Sequence, residues 1–275
     1  MLNDCFVYKT SEVVSLFSNI IIPTLLQITI FMGAIIFIGI ISALIVNFFY
    51  LGIRYNKKII YSMGIIGIPL HEISHALFAM VFRHKIKSIK LFSIKENQMF
   101  GEVRISFNRR NPYQLIGRFF VGIAPVIVGV HLVILMINIF IPSLFGYMQS
   151  FSSYDGSIIM HLNTYAYTVI QAFLHINFTI INILILMFSL SIVMYVSMSK
   201  KDIIISLKGL PIIAFSLLII NSILYLFSES LPIDIMINIY EWSIHFVSIY
   251  LALMGILVIL CIIITLIYRI FTLIF

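Results

Sequence analysis

Two histidines and a glutamate lie inside an apolar run that is long enough to cross a bilayer. The run extends from Ile59 to Phe82, and the pattern His-Glu-x-x-His occupies its residues 71–75. Polar side chains are costly in hydrocarbon, so a chain that keeps them there generally uses them. Residues four apart share a helix face, and His71 and His75 can therefore bind one metal ion from adjacent turns. Glu72 lies beside that face, where a carboxylate can act as a general base.

The composition predicts a membrane protein. Of the 275 residues, 62% are hydrophobic and only 10% are charged, whereas about a quarter of a soluble domain is charged. The repeated long apolar runs favour helices over a barrel. Cys5 and Cys261 stand at opposite ends of the chain, which excludes a disulfide framework and a cysteine-based metal site.

We therefore expect an all-α polytopic membrane protein with about six transmembrane helices, organised as a single domain over residues 1–275. Pro69 interrupts the second span and predicts a kink or a restart of the helix, either to open the metal site or only for packing. The predicted spans are Thr24–Leu51, Ile59–Phe82, Leu115–Ile141, one within Met160–Ser199, Ile203–Phe227 and Phe246–Tyr268.

The only extended polar stretch, residues 83–112, follows the second span directly. Alternation of polar and apolar residues predicts two strands, Ile86–Ser93 and Gly101–Phe107, joined by a turn. Such a β-hairpin can offer a strand edge to an extended substrate, or rest on anionic headgroups, or do both.

The charge distribution predicts the orientation. The net charge is +7, and the basic residues flank apolar spans, which favours a membrane surface over nucleic acid as the partner. With six spans and the N-terminus inside, fourteen of the seventeen Lys and Arg residues fall on the inner side. We expect a multi-pass protein of the cell membrane with its basic loops in the cytoplasm.

A catalytic zinc ion takes three protein ligands and keeps one open position, and the pattern supplies only two. Asp202 is the first candidate for the third ligand, because it begins a span on the same membrane side. The alternative is that Asp202 is a helix N-cap, with its carboxylate on the free amides of Ile204 or Ile205. Glu102 and His175 are the other candidates, and a polar packing cluster without metal is the remaining interpretation of the pattern.

A polar stripe is predicted within the apolar run Met160–Ser199. Gln171, His175, Asn182 and Ser189 step by four, seven and seven residues, which places them on one helix face. Such a stripe should face the interior of a helix bundle. We assign His175 and Asn182 to substrate binding in the cavity, and Gln171 and Ser189 to hydrogen bonds between helices.

The segment Ile68–Ala79, followed by the basic strand Lys85–Leu91, by Gly101–Val103 and by Ala124-Pro125, resembles the site-2 protease family of intramembrane zinc metalloproteases. The likeness covers residues 64–130. It implies a three-helix catalytic core, a membrane-associated hairpin that guides the substrate, and cleavage of transmembrane substrates near the cytoplasmic face. It also implies that His71 and His75 bind one zinc ion and that Glu72 is the catalytic base.

The chain departs from that family at the third ligand. The family's ligand is an Asp in an Asn-x-x-Pro…Leu-Asp-Gly segment, and the nearest counterpart here is Ser199–Asp202 with Gly209. We expect a zinc endopeptidase that hydrolyses membrane-embedded protein or peptide substrates. The alternative is a catalytically inactive, protease-like binding or accessory protein. A transporter is less favoured, because no paired broken spans occur in corresponding halves.

Overall fold

The computed structural model describes residues 16–95, 98–152, 167–196 and 198–274. It consists of long helices and one β-hairpin, and residues 167–174 are also helical. The elements are α1 (Ile22–Gly52, after a π-helical turn Phe17–Ile21), α2 (Lys57–Val81), β1 (Lys85–Lys95), β2 (Gln98–Ser106), α3 (Pro112–Phe140), α4 (Pro142–Ser152), α5 (Ile180–Val196), α6 (Lys200–Phe227) and α7 (Leu231–Ile274).

Five helices in the described parts of the chain are long and apolar enough to cross a membrane. They are Phe17–Gly52, which includes α1, together with α2, α3, α6 and α7. The apolar helix α5 has only 17 residues, below the roughly 20 that span hydrocarbon. The predicted all-α membrane fold is therefore confirmed in its general form, and the described ranges contain five candidate spans, so that the predicted six are not confirmed.

Helices α2, α3 and α6 each begin at a residue whose side chain caps the helix. The side chain of Asn56 accepts from the first free amides of α2, that of Asn111 does so for α3, and that of Ser199 does so for α6. These short polar side chains satisfy amides that have no partner within the helix. Local sequence thus determines where α2, which carries His71 and His75, and α6, which carries Asp202, begin.

The interior of α2 is continuous through Pro69. A proline removes one backbone hydrogen bond and crowds the carbonyl four residues earlier, but neighbouring helices can support a transmembrane helix at such a point. Of the kink or restart predicted at Pro69, the restart does not occur, and the motif lies on one unbroken helix.

The predicted polar stripe is interrupted. The helix of residues 167–174 ends before residues 175–179, and α5 begins only at Ile180. His175 is therefore the first residue of a break and Asn182 lies beyond it, and the prediction of one continuous helix face for the four polar residues is wrong. Residue spacing does not reveal such a break, because steps of four and seven define a face only on one uninterrupted helix.

The hairpin forms as predicted, with longer strands. β1 and β2 pair antiparallel, with Ile89 opposite Val103 and Lys95 opposite Gln98, and the register shifts at two points along the pair. The two-stranded sheet packs against α2. It therefore lies beside the helix that carries the His-Glu-x-x-His pattern.

Helix α3 lies between the other elements of the site. It packs against α2, α5 and α6, and its residues Ile123, Val126 and Val130 are buried in the main hydrophobic core. Small residues in Gly117–Gly129 allow these neighbours to come close. From this central position α3 contacts both α2, which carries His71 and His75, and α6, which carries Asp202.

Candidate metal centre

Three side chains from two helices converge within the bundle. The Nε2 atoms of His71 and His75, on successive turns of α2, are 3.1 Å apart. An Asp202 oxygen lies 3.3 Å from His75 Nε2, and its other oxygen lies 3.6 Å from His71 Nε2. In the described parts of the chain, this is the group of His, Cys, Asp and Glu side chains that can hold a metal ion.

Backbone carbonyls fix the orientation of both imidazoles. His71 Nδ1 lies 2.7 Å from the carbonyl oxygen of Tyr195, and His75 Nδ1 lies 2.7 Å from that of Val121. A carbonyl oxygen only accepts, so each Nδ1 carries the proton and donates it. Each neutral ring then turns the lone pair of Nε2 toward the cluster. This is the arrangement that histidine ligands of metals commonly have.

Asp202 takes part in capping helix α6 and also lies beside the two histidines. The Ser199 amide donates to Asp202 Oδ2 at 2.8 Å, and the Asp202 amide donates to the Ser199 hydroxyl at 3.2 Å. This reciprocal pair is a capping box, in which Ser199 is the N-cap and Asp202 is the third helical residue. The prediction of Asp202 as the N-cap is wrong, and the capping contacts leave its carboxylate facing the histidines.

The cluster brings together hydrogen-bond acceptors. Two imidazole lone pairs and a carboxylate converge in a space where His75 is 8% exposed and Asp202 is 6% exposed. Acceptors repel one another there unless a metal ion or a shared proton lies between them. Tetrahedral zinc with bonds of about 2.0–2.1 Å places its ligand atoms about 3.3 Å apart. The two histidine nitrogens, 3.1 Å apart, are close to that spacing, whereas the Asp202 distances of 3.3 and 3.6 Å run to different carboxylate oxygens. With one ligand atom from each residue, the three atoms lie within 4.8 Å of one another, and the group can hold one ion.

Glycines allow the helices to approach closely enough for these contacts. A Cβ atom on Gly67 would lie 2.5 Å from the Ser191 carbonyl, and one on Gly122 would lie 2.6 Å from the Asp202 carbonyl. The first contact joins α2 to α5, and the second joins α3 to α6. Glycine is the residue that permits such backbone contact between helices in a membrane. The cluster therefore depends on positions that carry no functional group.

Glu72 lies in a cavity of about 480 Å³ with the three cluster residues. Its side chain is buried, and the strand β2 crosses over it at Gly101. The other walls come from β2 and the first turn of α6, and they include Val103, Ile105, Ser199, Lys200 and Lys201. The buried Glu72 carboxylate, a candidate metal site and strand β2 thus meet in one cavity.

Glu102 lines the same cavity but lies outside the cluster. Its carboxylate forms an ion pair with Arg104 at 2.9 Å. The hydrogen bond and the positive charge of Arg104 hold the pKa of Glu102 below its usual value. The structure therefore brings Asp202 to the histidines and pairs Glu102 with an arginine of its own strand.

The predicted substrate-binding residues His175 and Asn182 do not line this cavity. His175 Nδ1 donates to the Gln171 carbonyl at 2.8 Å, and the Asn182 side chain donates to the Asn177 carbonyl at 2.7 Å. Both bonds satisfy backbone groups around the break at residues 175–179. The structure gives these two side chains a local structural contact and no place beside Glu72.

Several residues of the site carry no signal in the sequence. The carbonyls of Val121 and Tyr195 act through the backbone, which every residue possesses. Gly122 belongs to a small-residue segment that predicts close packing, but that segment does not identify α6 as the neighbour. The capping box Ser199-x-x-Asp202 is a sequence pattern that could have placed the helix start at Ser199, and the contact of Asp202 with the histidines required the fold.

Comparison of the chain with protein-family models, with curated proteins and with solved structures finds no match in any of the three. The resemblance to the site-2 protease family therefore rests on the residues quoted for it. It stays a prediction, and the site is interpreted from its own geometry.

Proposed function

We propose that the protein is an intramembrane zinc-dependent endopeptidase. The observation that carries the proposal is the convergence of His71, His75 and Asp202, whose ligand atoms lie within 4.8 Å of one another, with Glu72 in the same cavity. The cavity opens beside helices that are apolar enough to span a membrane. This combination favours hydrolysis of substrates that are themselves membrane-embedded.

In the proposed hydrolysis, each residue of the site has a separate role. His71, His75 and Asp202 would hold the ion, and a bound zinc ion would supply Lewis-acid chemistry at this point of the cavity. Glu72 takes the proton of the attacking water on its carboxylate and delivers it to the departing amide nitrogen. The carbonyls of Tyr195 and Val121 keep both imidazoles in the ligating tautomer.

The position of β2 favours an extended substrate. In a two-stranded sheet, each strand has one free edge, and an unwound segment can pair with such an edge through main-chain hydrogen bonds. Between β2 and the first turn of α6, the segment would pass directly over the cluster. The basic loops suggest that this side faces the cytoplasm, in a protein of the cell membrane.

Metal analysis and one substitution test the proposal. Purified protein should hold one zinc ion per chain, and Glu72→Gln should retain that ion while cleavage of a co-expressed, tagged transmembrane substrate stops. Wild-type rates in Glu72→Gln would contradict the role of the base. Substoichiometric zinc that His71→Ala leaves unchanged would instead favour the inactive, protease-like alternative.

A further inference from the structure

Strand β2 passes so close to Glu72 that position 101 has no room for a side chain. A Cβ atom on Gly101 would lie 2.9 Å from both Cδ and Oε1 of Glu72, and it would lie closer still to Cγ. Real Cβ atoms essentially never come within 3.0 Å of another heavy atom. One face of the glutamate side chain is therefore in direct contact with the backbone of the hairpin.

The backbone conformation does not explain this glycine. No glycine in the described ranges has a positive φ, so Gly101 is not needed for a left-handed turn. It lies within β2, where glycine otherwise weakens a strand and often marks a close backbone approach. The requirement at position 101 is thus one of space above Glu72.

The same strand continues along the cavity that holds Glu72, where Val103 is one of the lining residues. The contact at Gly101 restricts a side chain that otherwise has three rotatable bonds between α2 and the hairpin. A general base must be held near the proton that it takes, and a misplacement of about 1 Å can cost about 100-fold in rate.

We propose that Gly101 is a positioning residue for Glu72, so that the hairpin sets the reach of the catalytic base. The catalytic part of this inference rests on the proposed function, whereas the contact itself does not. The hairpin then acts on the chemistry through Glu72 as well as offering an edge to the substrate. The proposed metal ligands are His71, His75 and Asp202, so a change at Gly101 is expected to act on Glu72 and to leave metal binding unchanged.

A double-mutant cycle on thermal stability tests the contact without any activity. Gly101→Ala should lower the unfolding midpoint of the purified protein by about 4 °C or more, because the added methyl group meets Glu72. In a Glu72→Ala background the three opposing atoms are gone, and the same change should cost little. Gly33→Ala is the matched control, because nothing lies within 4 Å of its added Cβ.

An equal loss in both backgrounds would overturn the inferred contact. If Gly101→Ala alone fails to fold, recovery of folded protein in the Glu72→Ala background supports the contact, and failure in both contradicts it. The double-mutant cycle therefore tests the contact even if the Gly101→Ala variant cannot be purified as a folded protein.

Kinetics test the positioning role. With a tagged transmembrane substrate that the wild type cleaves, Gly101→Ala should lower kcat by about 10-fold or more at an unchanged KM and an unchanged zinc content. A wild-type kcat, or a loss confined to zinc content, would overturn the positioning role. A wild-type protein that cleaves no substrate would overturn the proposed function, and the stability cycle would still decide the contact.

Discussion

His75 Nδ1 lies 2.7 Å from the carbonyl oxygen of Val121, one residue before the glycine that packs against Asp202. Two consecutive residues of α3 therefore orient one ligand of the candidate metal site and receive the backbone of another. Since α3 is neither the motif helix nor the helix of the third ligand, the geometry of the site depends on a helix that contributes no ligand side chain.

Asp202→Ala should abolish stoichiometric zinc binding. The loss should exceed the roughly 10–100-fold that follows when a ligand merely loses a hydrogen-bond partner, because one of three ligands is removed. Glu102→Ala and His175→Ala are matched controls, since Glu102 pairs with Arg104 and His175 bonds within its own segment. Metal analysis of the three purified variants would measure the difference. Loss of zinc in Glu102→Ala with retention in Asp202→Ala would reverse the assignment.

Gly122→Ala should weaken zinc binding although it changes no ligand. The new Cβ would lie 2.6 Å from the Asp202 carbonyl and 2.9 Å from the Ser206 amide. Helix α6 must move away, at a cost of about 1–3 kcal/mol in stability, and it takes the Asp202 carboxylate with it. Titration of the apo-protein with zinc would show the effect. Gly33→Ala should bind as the wild type does, and normal affinity in Gly122→Ala would contradict the close packing.

Asn221→Leu should lower stability without affecting zinc. The buried Asn221 side chain donates to the Thr24 hydroxyl at 2.7 Å and to the Gln27 carbonyl oxygen at 3.1 Å, which joins α6 to α1. Interhelical hydrogen bonds in membranes contribute about 0.6 kcal/mol on average and up to about 1.7 kcal/mol. Thermal unfolding in detergent should show a loss of this size. The neighbouring Ser222→Ala, which loses a bond only within its own helix, should show much less.

Acid should destabilise the junction between α2 and the hairpin through His84. Burial, with a smaller effect from Arg118, lowers the pKa of His84, whose Nε2 donates to the Gln114 carbonyl at 2.8 Å. A histidine with a lowered folded-state pKa stabilises the fold above its ordinary value near 6.5. That contribution is lost as the pH falls from there toward the folded-state pKa.

The His84→Asn variant cannot titrate at this position and provides the comparison. Its unfolding midpoint should fall less between pH 7 and pH 5 than that of the wild type. Identical pH dependence in the two proteins would show that His84 does not contribute.

The sequence by itself determined the elements that local rules control. Apolar runs longer than a bilayer require helices, because unpaired backbone groups are costly in hydrocarbon, and alternating residues after Val81 gave the hairpin. The spacing of His71 and His75 put two imidazoles on one face. The strand ends, the break at residues 175–179 and the shortness of α5 escaped prediction, since hydropathy and spacing do not show where a helix ends within a long apolar run.

Only the tertiary structure decided which carboxylate joins the histidines. The sequence made Asp202 the first candidate and left Glu102 and His175 open, because it does not show which of them reaches the histidines. In the structure, Arg104 forms an ion pair with Glu102, whereas the close approach at Gly122 brings the first turn of α6 to His75. The same holds for Gly101 above Glu72. A missing side chain has meaning only when another part of the chain fills the space, and that is a property of packing and not of local sequence.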